Sequence, residues 1–263
     1  MRSIITGIYL LVLLMSLPAL PAFSGGLGSE KLLWEANQLF LEYKDTEALE
    51  KFEALLASHP GHQEALYKSS ILCGRIGSRF TDETSKNVYF QKALFHAQKA
   101  LAIDSTQADA NYVMALSLGN LCQTGTLKER IGFLVNIKHY VTQALVYNLN
   151  HAGAWHLLGR WSYKVANMSL AERAMGKVFM QTSFPSVTNE QSMEALAKAV
   201  ELDPTNLLYY YDLARVQRDA TLNRHCVETL QKALDQKMMT TEDLAISRKC
   251  KILLQEVLKV KAS

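Results

Sequence analysis

Proline is scarce in this chain, with five residues in 263, and charged residues make up only 20% of it. Apolar residues account for 49%, a composition typical of folded proteins, so general disorder is excluded. The formal net charge of +3 is small, and Lys and Arg are mixed with Asp and Glu along the chain. We therefore expect no nucleic-acid partner, and any charge that serves binding must be concentrated in one part of the surface.

Cysteine is also sparse, and no CxxC pair occurs. Cys73, Cys122, Cys226 and Cys250 lie far apart, which argues against a zinc site. Each of them falls in a helical pattern, where a small apolar side chain suits packing. We favour packing roles, while the even count leaves disulfides open in an exported chain.

Motifs that carry catalysis or bind cofactors are missing as well. The sequence contains no HExxH, no G-x-S-x-G and no phosphate-binding glycine loop. His151 and His156 are five residues apart, a spacing that does not align them on one helix face. His59 and His62 flank a Pro-Gly turn, which favours a loop role. We predict a non-enzymatic protein with no metal site and no cofactor.

The beginning of the chain differs from the rest. Arg2 precedes an apolar run from Ile4 to Leu17, and "LPALPAFSGG" then supplies prolines and small residues. This order is typical of a secretory signal peptide. Cleavage after Ser24 would place Ala22 and Ser24 at the two small-residue positions.

This pattern predicts the domain organisation and the location of the protein. We expect a signal peptide over residues 1–24 and a repeat domain over residues 25–263. Export to the periplasm or out of the cell would follow. The alternative is an uncleaved membrane anchor through residues 4–22, for which the apolar run is short.

A repeated helical pattern occupies the remainder. Strand signals are nearly absent, and apolar residues recur at spacings of three and four residues. The segment "ALEKFEALLASHP", residues 48–60, has the spacing of the second helix of a tetratricopeptide repeat. Related segments are "ALFHAQKALAIDS", "IKHYVTQALVYNL", "SMEALAKAVELDP" and "CVETLQKAL".

The first helices of the repeats are recognisable too. In "AWHLLGRWS", Trp155, Leu158 and Gly159 match the spacing W-x2-L-G, and Gly159 would let a neighbouring helix approach closely. We predict an all-α fold, a tetratricopeptide-like superhelix of helical hairpins with about 11–12 helices.

Capping boxes mark three helix starts independently of the repeat. In each of them a Ser or Thr is followed three residues later by Glu or Gln, which satisfies free amides of the first turn. They are Thr126 with Glu129, Ser169 with Glu172 and Thr188 with Gln191. Helices are therefore predicted to begin near residues 127, 170 and 189.

The repeat spacing is uneven. The equivalent residues Leu55, Ala100, Ala144, Ala199 and Ala233 lie 45, 44, 55 and 34 residues apart, and only the last step has the standard length. We expect the connections to carry the extra sequence.

The longest step predicts an additional helix near residues 170–181. A new capped helix begins at Ser169, and "TSFPSVTN" ends it before the next repeat helix starts. Its expected buried stripe is formed by Leu170, Ala174, Val178 and Phe179. We interpret this insert as structural, a helix that covers one side of the array.

Four motifs resemble the regulator of microtubule dynamics family, whose members carry a divergent tetratricopeptide domain. They are "GRWSYKVANMSLAER", "FPSVTNEQSMEALAKAVELDP", "LLYYYDLARV" and "TTEDLAISRKCKILLQEVL". The resemblance implies a non-enzymatic role, association with microtubules and organelle membranes, and lipid binding in some members. It brings no catalytic residue. An exported protein would not meet microtubules, so the predicted signal peptide conflicts with that role.

The first helices of stacked hairpins line the concave face of a superhelix. Aromatic, polar and basic residues recur at the positions that should face this groove, and basic ones concentrate in the later repeats. The predicted groove residues are Tyr67, Arg75, Tyr112, Asn120, His156, Arg160, Tyr163, Lys164, Tyr211, Arg215 and Arg218, with Ile71 and Leu116 between them.

Three interpretations of this groove remain open. A peptide or protein partner could offer acidic groups or its carboxyl terminus to the arginines. An anionic phospholipid could place its phosphate on the basic side chains and its acyl chain on the apolar ones. In the third interpretation the aromatic residues pack within their own repeats and the basic groups are merely solvated.

Overall fold

A computed structural model describes residues 25–181 and 183–262, which form twelve α-helices and contain no strand. The helices are α1 (Gly25–Leu41), α2 (Asp45–Ser58), α3 (Gln63–Arg79), α4 (Glu83–Ile103), α5 (Ala108–Leu121), α6 (Leu127–Tyr147), α7 (Ala152–Ala166), α8 (Leu170–Met180), α9 (Asn189–Leu202), α10 (Leu207–Asp219), α11 (Asn223–Leu234) and α12 (Thr241–Ala262). The predicted all-α fold and helix number are confirmed. The predicted signal peptide lies outside the described residues.

Consecutive helices pack as hairpins. The pairs are α1 with α2, α3 with α4, α5 with α6, α7 with α9, and α10 with α11. Helix α8 is inserted within the fourth pair, at the predicted place, and α12 packs on the fifth pair. None of the described helices has both the length and the apolar character required for a membrane span.

Small residues at the repeat positions allow the hairpins to approach closely. The five equivalent residues from Leu55 to Ala233 are at most 1% exposed. A Cβ atom added to Gly159 would lie 2.5 Å from Leu196 Cγ, so α9 rests directly on the α7 backbone there. The predicted close-packing role of Gly159 is confirmed.

Local capping determines where three helices begin. Thr126, Ser169 and Thr188 each accept a hydrogen bond from the backbone amide three residues later, and the reciprocal side-chain bond is present in all three cases. The three predicted capping boxes are therefore confirmed at the starts of α6, α8 and α9.

Two of the long repeat steps have a different cause from the one expected. Helices α4 and α6 have 21 residues each, whereas α2 has 14, so the extra sequence lengthens second helices rather than connections. The added turns have apolar contacts of their own, because Phe90 in α4 and Ile131 in α6 are at most 2% exposed. Burial of these side chains favours helix over loop there.

The expected buried stripe of α8 is wrong. Leu170 is 88% exposed, Val178 70% and Phe179 53%, and Ala174 is exposed as well. The helix is instead attached through another side, where Met175 packs on the central core and the Arg173 guanidinium donates to the carbonyl of Val165 at 2.7 Å. An amphipathic spacing identifies an apolar face but not the surface that covers it.

The cysteines behave as packing residues. Cys73, Cys226 and Cys250 are buried, Cys122 is half-buried, and none of the four forms a disulfide. Burial raises the pKa of the Cys73 thiol to about 12, so this thiol is protonated at neutral pH.

Candidate binding cavity

A cavity of about 280 Å³ opens among helices α5, α6, α7, α9 and α10. Its walls are mostly apolar, and basic side chains from α7 and α10 stand at its rim. The apolar lining includes Leu134, Ile137, Leu157, Leu196 and Val216. The arrangement combines an apolar interior with a positively charged entrance, as ligand sites commonly do.

Four predicted groove residues meet at this cavity. Arg160, Tyr163 and Lys164 follow one another along α7, and Arg215 comes from α10. Spacings of three and four residues place the α7 side chains on one face, which explains why the sequence pattern identified them together.

A buried carboxylate that the sequence analysis missed organises the rim. His156 Nε2 donates to Asp212 Oδ2 at 2.9 Å, Arg160 Nε lies 3.6 Å from the same oxygen, and Arg215 Nη1 lies 3.5 Å from Asp212 Oδ1. Two guanidinium groups therefore share one carboxylate, which leaves positive charge for an incoming anion. The clue in the sequence was an Asp inside the otherwise apolar and aromatic run "LLYYYDLARV".

Charges within this cluster follow from burial and pairing. Burial acts to raise the pKa of Asp212, but the hydrogen bond from His156 and the charge of Arg160 outweigh it and keep that pKa below its usual value. Burial lowers the pKa of His156, and its bond to Asp212 offsets this only in part. Near neutral pH the carboxylate is ionised and the imidazole is neutral.

Two other predicted basic residues have partners elsewhere. Lys164 Nζ lies 2.7 Å from Glu172 Oε1 of α8, so the inserted helix holds one side of the rim. Arg218 Nη2 lies 2.8 Å from Asp219 Oδ1, and the Tyr163 hydroxyl donates to the same carboxylate group. Arg160 and Arg215 are therefore the rim cations best placed for a ligand.

Most of the predicted aromatic row lies at repeat interfaces rather than in the cavity. A Cβ atom on Gly153 would lie 2.7 Å from the Tyr112 ring, so that ring fills the space beneath α7. His156 was expected to face the groove, yet it is only 5% exposed and stacks on Tyr209 with ring centroids 4.4 Å apart. The hydroxyl of Tyr67 donates to the side chain of Gln63 in its own helix.

The remaining predicted residues do not line the cavity. The Arg215 guanidinium lies over the Tyr211 ring, 5.9 Å from the ring centre. The side chain of Asn120 packs over Gly74, where an added Cβ would lie 2.5 Å from its Nδ2. Arg75 Nη1 lies 3.4 Å from Asp45 Oδ1 and is thus engaged in the early repeats.

Comparison with known proteins gives the family. The family model described as "Regulator of microtubule dynamics protein 1-3" matches residues 32–259. Regulator of microtubule dynamics protein 1 of Bos taurus is 28% identical over 179 residues, covering 66% of this chain and 55% of its own length. Protein 3 of Xenopus laevis is 24% identical over 198 residues, covering 74% and 42%. The chain spans about half the length of these curated relatives.

Solved structures support the fold alone. TTC0263, a thermophilic tetratricopeptide-repeat protein of Thermus thermophilus, aligns with a TM-score of 0.63 and 18% identity over 86% of this chain and 99% of its own. Pseudomonas aeruginosa pilF aligns with a TM-score of 0.52 and 11% identity, over 89% and 90%. The predicted tetratricopeptide-like superhelix is confirmed by these similarities.

Proposed function

The chain belongs to the regulator of microtubule dynamics protein 1-3 family, and on that premise we propose that it is a non-enzymatic binding scaffold whose cavity captures a segment of a partner protein. The observation that carries this proposal is the apolar cavity beneath Arg160 and Arg215, which share the single carboxylate of Asp212. A fitting segment presents an apolar side chain to the cavity and a carboxylate to the two guanidinium groups.

Capture by an immobilised chain tests this function. Replacing both Arg160 and Arg215 with Gln removes the rim charge without adding a carboxylate beside Asp212, and partner capture should fall at least about tenfold. The matched control is Arg224→Gln, because this exposed residue of α11 pairs with Glu228 of its own helix and does not line the cavity. Equal capture by the double variant and the control, with unchanged helical circular dichroism, would contradict the cavity assignment.

An anionic phospholipid is the second candidate ligand. The apolar lining favours it, because Leu134, Ile137 and Val216 can cover part of an acyl chain while the rim holds the phosphate. Native mass spectrometry separates the two candidates. A co-purified lipid that disappears in the Arg160→Gln, Arg215→Gln variant supports the lipid, and a protein partner without bound lipid supports the scaffold.

The cellular compartment of the protein determines which partners it can bind. The relatives are named as regulators of microtubule dynamics, and the same role for this chain requires access to microtubules. The signal peptide proposed for residues 1–24 would instead export the protein. Intact mass shows whether these residues are removed in cells, and co-sedimentation with purified microtubules tests the other role.

A further inference from the structure

The last helix of the array reaches back to the second hairpin. The first helices of the second to fifth hairpins are α3, α5, α7 and α10, and α12 packs beyond them on α10 and α11. Nevertheless, Arg79 at the end of α3 donates a hydrogen bond from Nε to the carboxylate of Glu242, in the first turn of α12. The two residues are 163 positions apart in the sequence. The row from α3 to α12 therefore bends round until its ends meet, and it encloses the concave face.

A buried carboxylate holds Arg79 in place for this contact. The Arg79 guanidinium also donates from Nη2 to Asp45 Oδ2, and Asp45 is only 2% exposed. Arg75 Nη1 lies 3.4 Å from the other oxygen of Asp45, so two guanidinium groups share one carboxylate. The cluster around Asp212 has the same arrangement. In the Asp45 cluster the positive charge that is left over binds a second carboxylate, that of Glu242.

Only this contact holds the first turn of α12 against the early hairpins. In the part of the chain that the structure describes, no other hydrogen bond or ion pair joins α12 to helices α1–α4. Leu244, the apolar residue nearest to Glu242 on α12, is 41% exposed. The other end of α12 is fixed, because Leu253 and Val257 are buried against α10 and α11.

The contact is weak enough to open. The side chains of Arg79 and Glu242 are 40% and 42% exposed. Ion pairs with this exposure stabilise a structure only slightly, and salt screens them. Helix α12 is therefore attached firmly at one end and by a single exposed ion pair at the other.

We propose that the Arg79–Glu242 ion pair is a latch that controls access to the concave face and to the candidate cavity. Helices α5, α7 and α10, which line the cavity, lie between the two ends that the latch joins. A partner segment that enters from the side must pass between these ends. The inference concerns regulation of the proposed capture site and rests on that proposed function.

The reactivity of Cys122 tests the latch. This cysteine lines the cavity and is half-buried, whereas the other three cysteines are 0% exposed. Mass spectrometry follows its labelling by iodoacetamide and, separately, by a maleimide that carries a polyethylene glycol chain. The small reagent reports the reactivity of the thiol, and the bulky reagent also requires an open concave face. The ratio of the bulky to the small labelling rate therefore measures opening.

Glu242→Gln breaks the latch and keeps the bond between Arg79 and Asp45. The labelling ratio should rise about threefold, which is the size of effect expected for one exposed ion pair. Glu256→Gln is the control, because Glu256 Oε2 lies 3.7 Å from Arg218 Nη1 at the fixed end of α12. This variant should keep the wild-type ratio.

Salt provides a second comparison. Raising NaCl from about 0.1 M to about 1 M should increase the labelling ratio of the wild-type chain and leave that of Glu242→Gln unchanged, because salt screens the ion pair. Equal ratios for the wild-type chain and both variants overturn the proposal, and faster amide hydrogen exchange over residues 242–247 of Glu242→Gln then shows that only the end of α12 has frayed. The measurement needs no partner, so its result is independent of whether Arg160 and Arg215 prove necessary for capture.

Discussion

His156 of α7 and Asp212 of α10 are 56 residues apart in the sequence and form a buried hydrogen bond of 2.9 Å. This bond joins the fourth hairpin to the fifth. The same carboxylate also holds the guanidinium groups of Arg160 and Arg215 at the rim of the cavity. Packing between repeats and the charge of the candidate site therefore depend on one side chain.

Replacing Asp212 with Ala should destabilise the fold. The change leaves the His156 donor unpaired and two guanidinium groups without their shared counter-charge, so we expect the free energy of unfolding to fall by about 3 kcal/mol. Urea unfolding followed by circular dichroism measures this. Glu228→Ala, which removes an exposed ion pair with Arg224, should change the free energy of unfolding far less, because solvent screens that pair. Similar decreases in the free energy of unfolding for the two variants would show that the buried cluster stabilises the fold no more than an exposed ion pair does.

Two glycine substitutions should have opposite effects. Gly159→Ala places a Cβ atom 2.5 Å from Leu196 Cγ and 3.1 Å from the Leu196 backbone nitrogen, so α9 must shift, at a cost of about 2 kcal/mol. Gly119→Ala in α5 meets nothing within 4 Å and should stabilise the helix by about 0.5 kcal/mol. Thermal unfolding of the two variants beside the wild-type chain measures both effects. Two stabilising changes would contradict the close contact between α7 and α9.

Acid should weaken the protein partly through His96. Burial, with the nearby charges of Lys99 and Lys92, lowers the pKa of this histidine from 6.5 to about 4. Glu53 Oε1 lies 3.7 Å from its Nε2, too far for a hydrogen bond that would hold the proton. The unfolded chain then binds the proton more readily, so this contribution is complete above pH 6.5 and is lost as the pH falls toward 4.

His96→Leu should remove that part of the acid sensitivity. Between pH 6.5 and pH 4 the wild-type chain should lose about 3 kcal/mol more free energy of unfolding than the variant. Urea titrations at several pH values in this range measure the difference. If the free energy of unfolding falls equally with pH in the two proteins, groups other than His96 cause the acid sensitivity.

Local chemistry made much of the architecture predictable. The capping boxes at Thr126, Ser169 and Thr188 use bonds that span three residues, so the sequence alone indicates where these helices start. The contact at Gly159 could be predicted because the repeat spacing brings a second helix onto that position. Arg160, Tyr163 and Lys164 were identified together because helix geometry alone places them on one face.

Other features arise only when distant helices meet. Tyr112 and His156 occupy the positions expected of groove residues, yet the neighbouring repeat covers them. Asp212 has no charged partner within its own turn except Arg215, and its role becomes visible only when α7 packs beside it.

The sequence by itself determined the helices, their caps, the hairpin repeat and the place of the insert, because helix periodicity and capping act over a few residues. The tertiary structure decided which faces are buried. The apolar side of α8 remains exposed because α8 is attached through Met175 and Arg173. Burial depends on how side chains from distant parts of the chain fill a shared volume, and no local spacing specifies that volume.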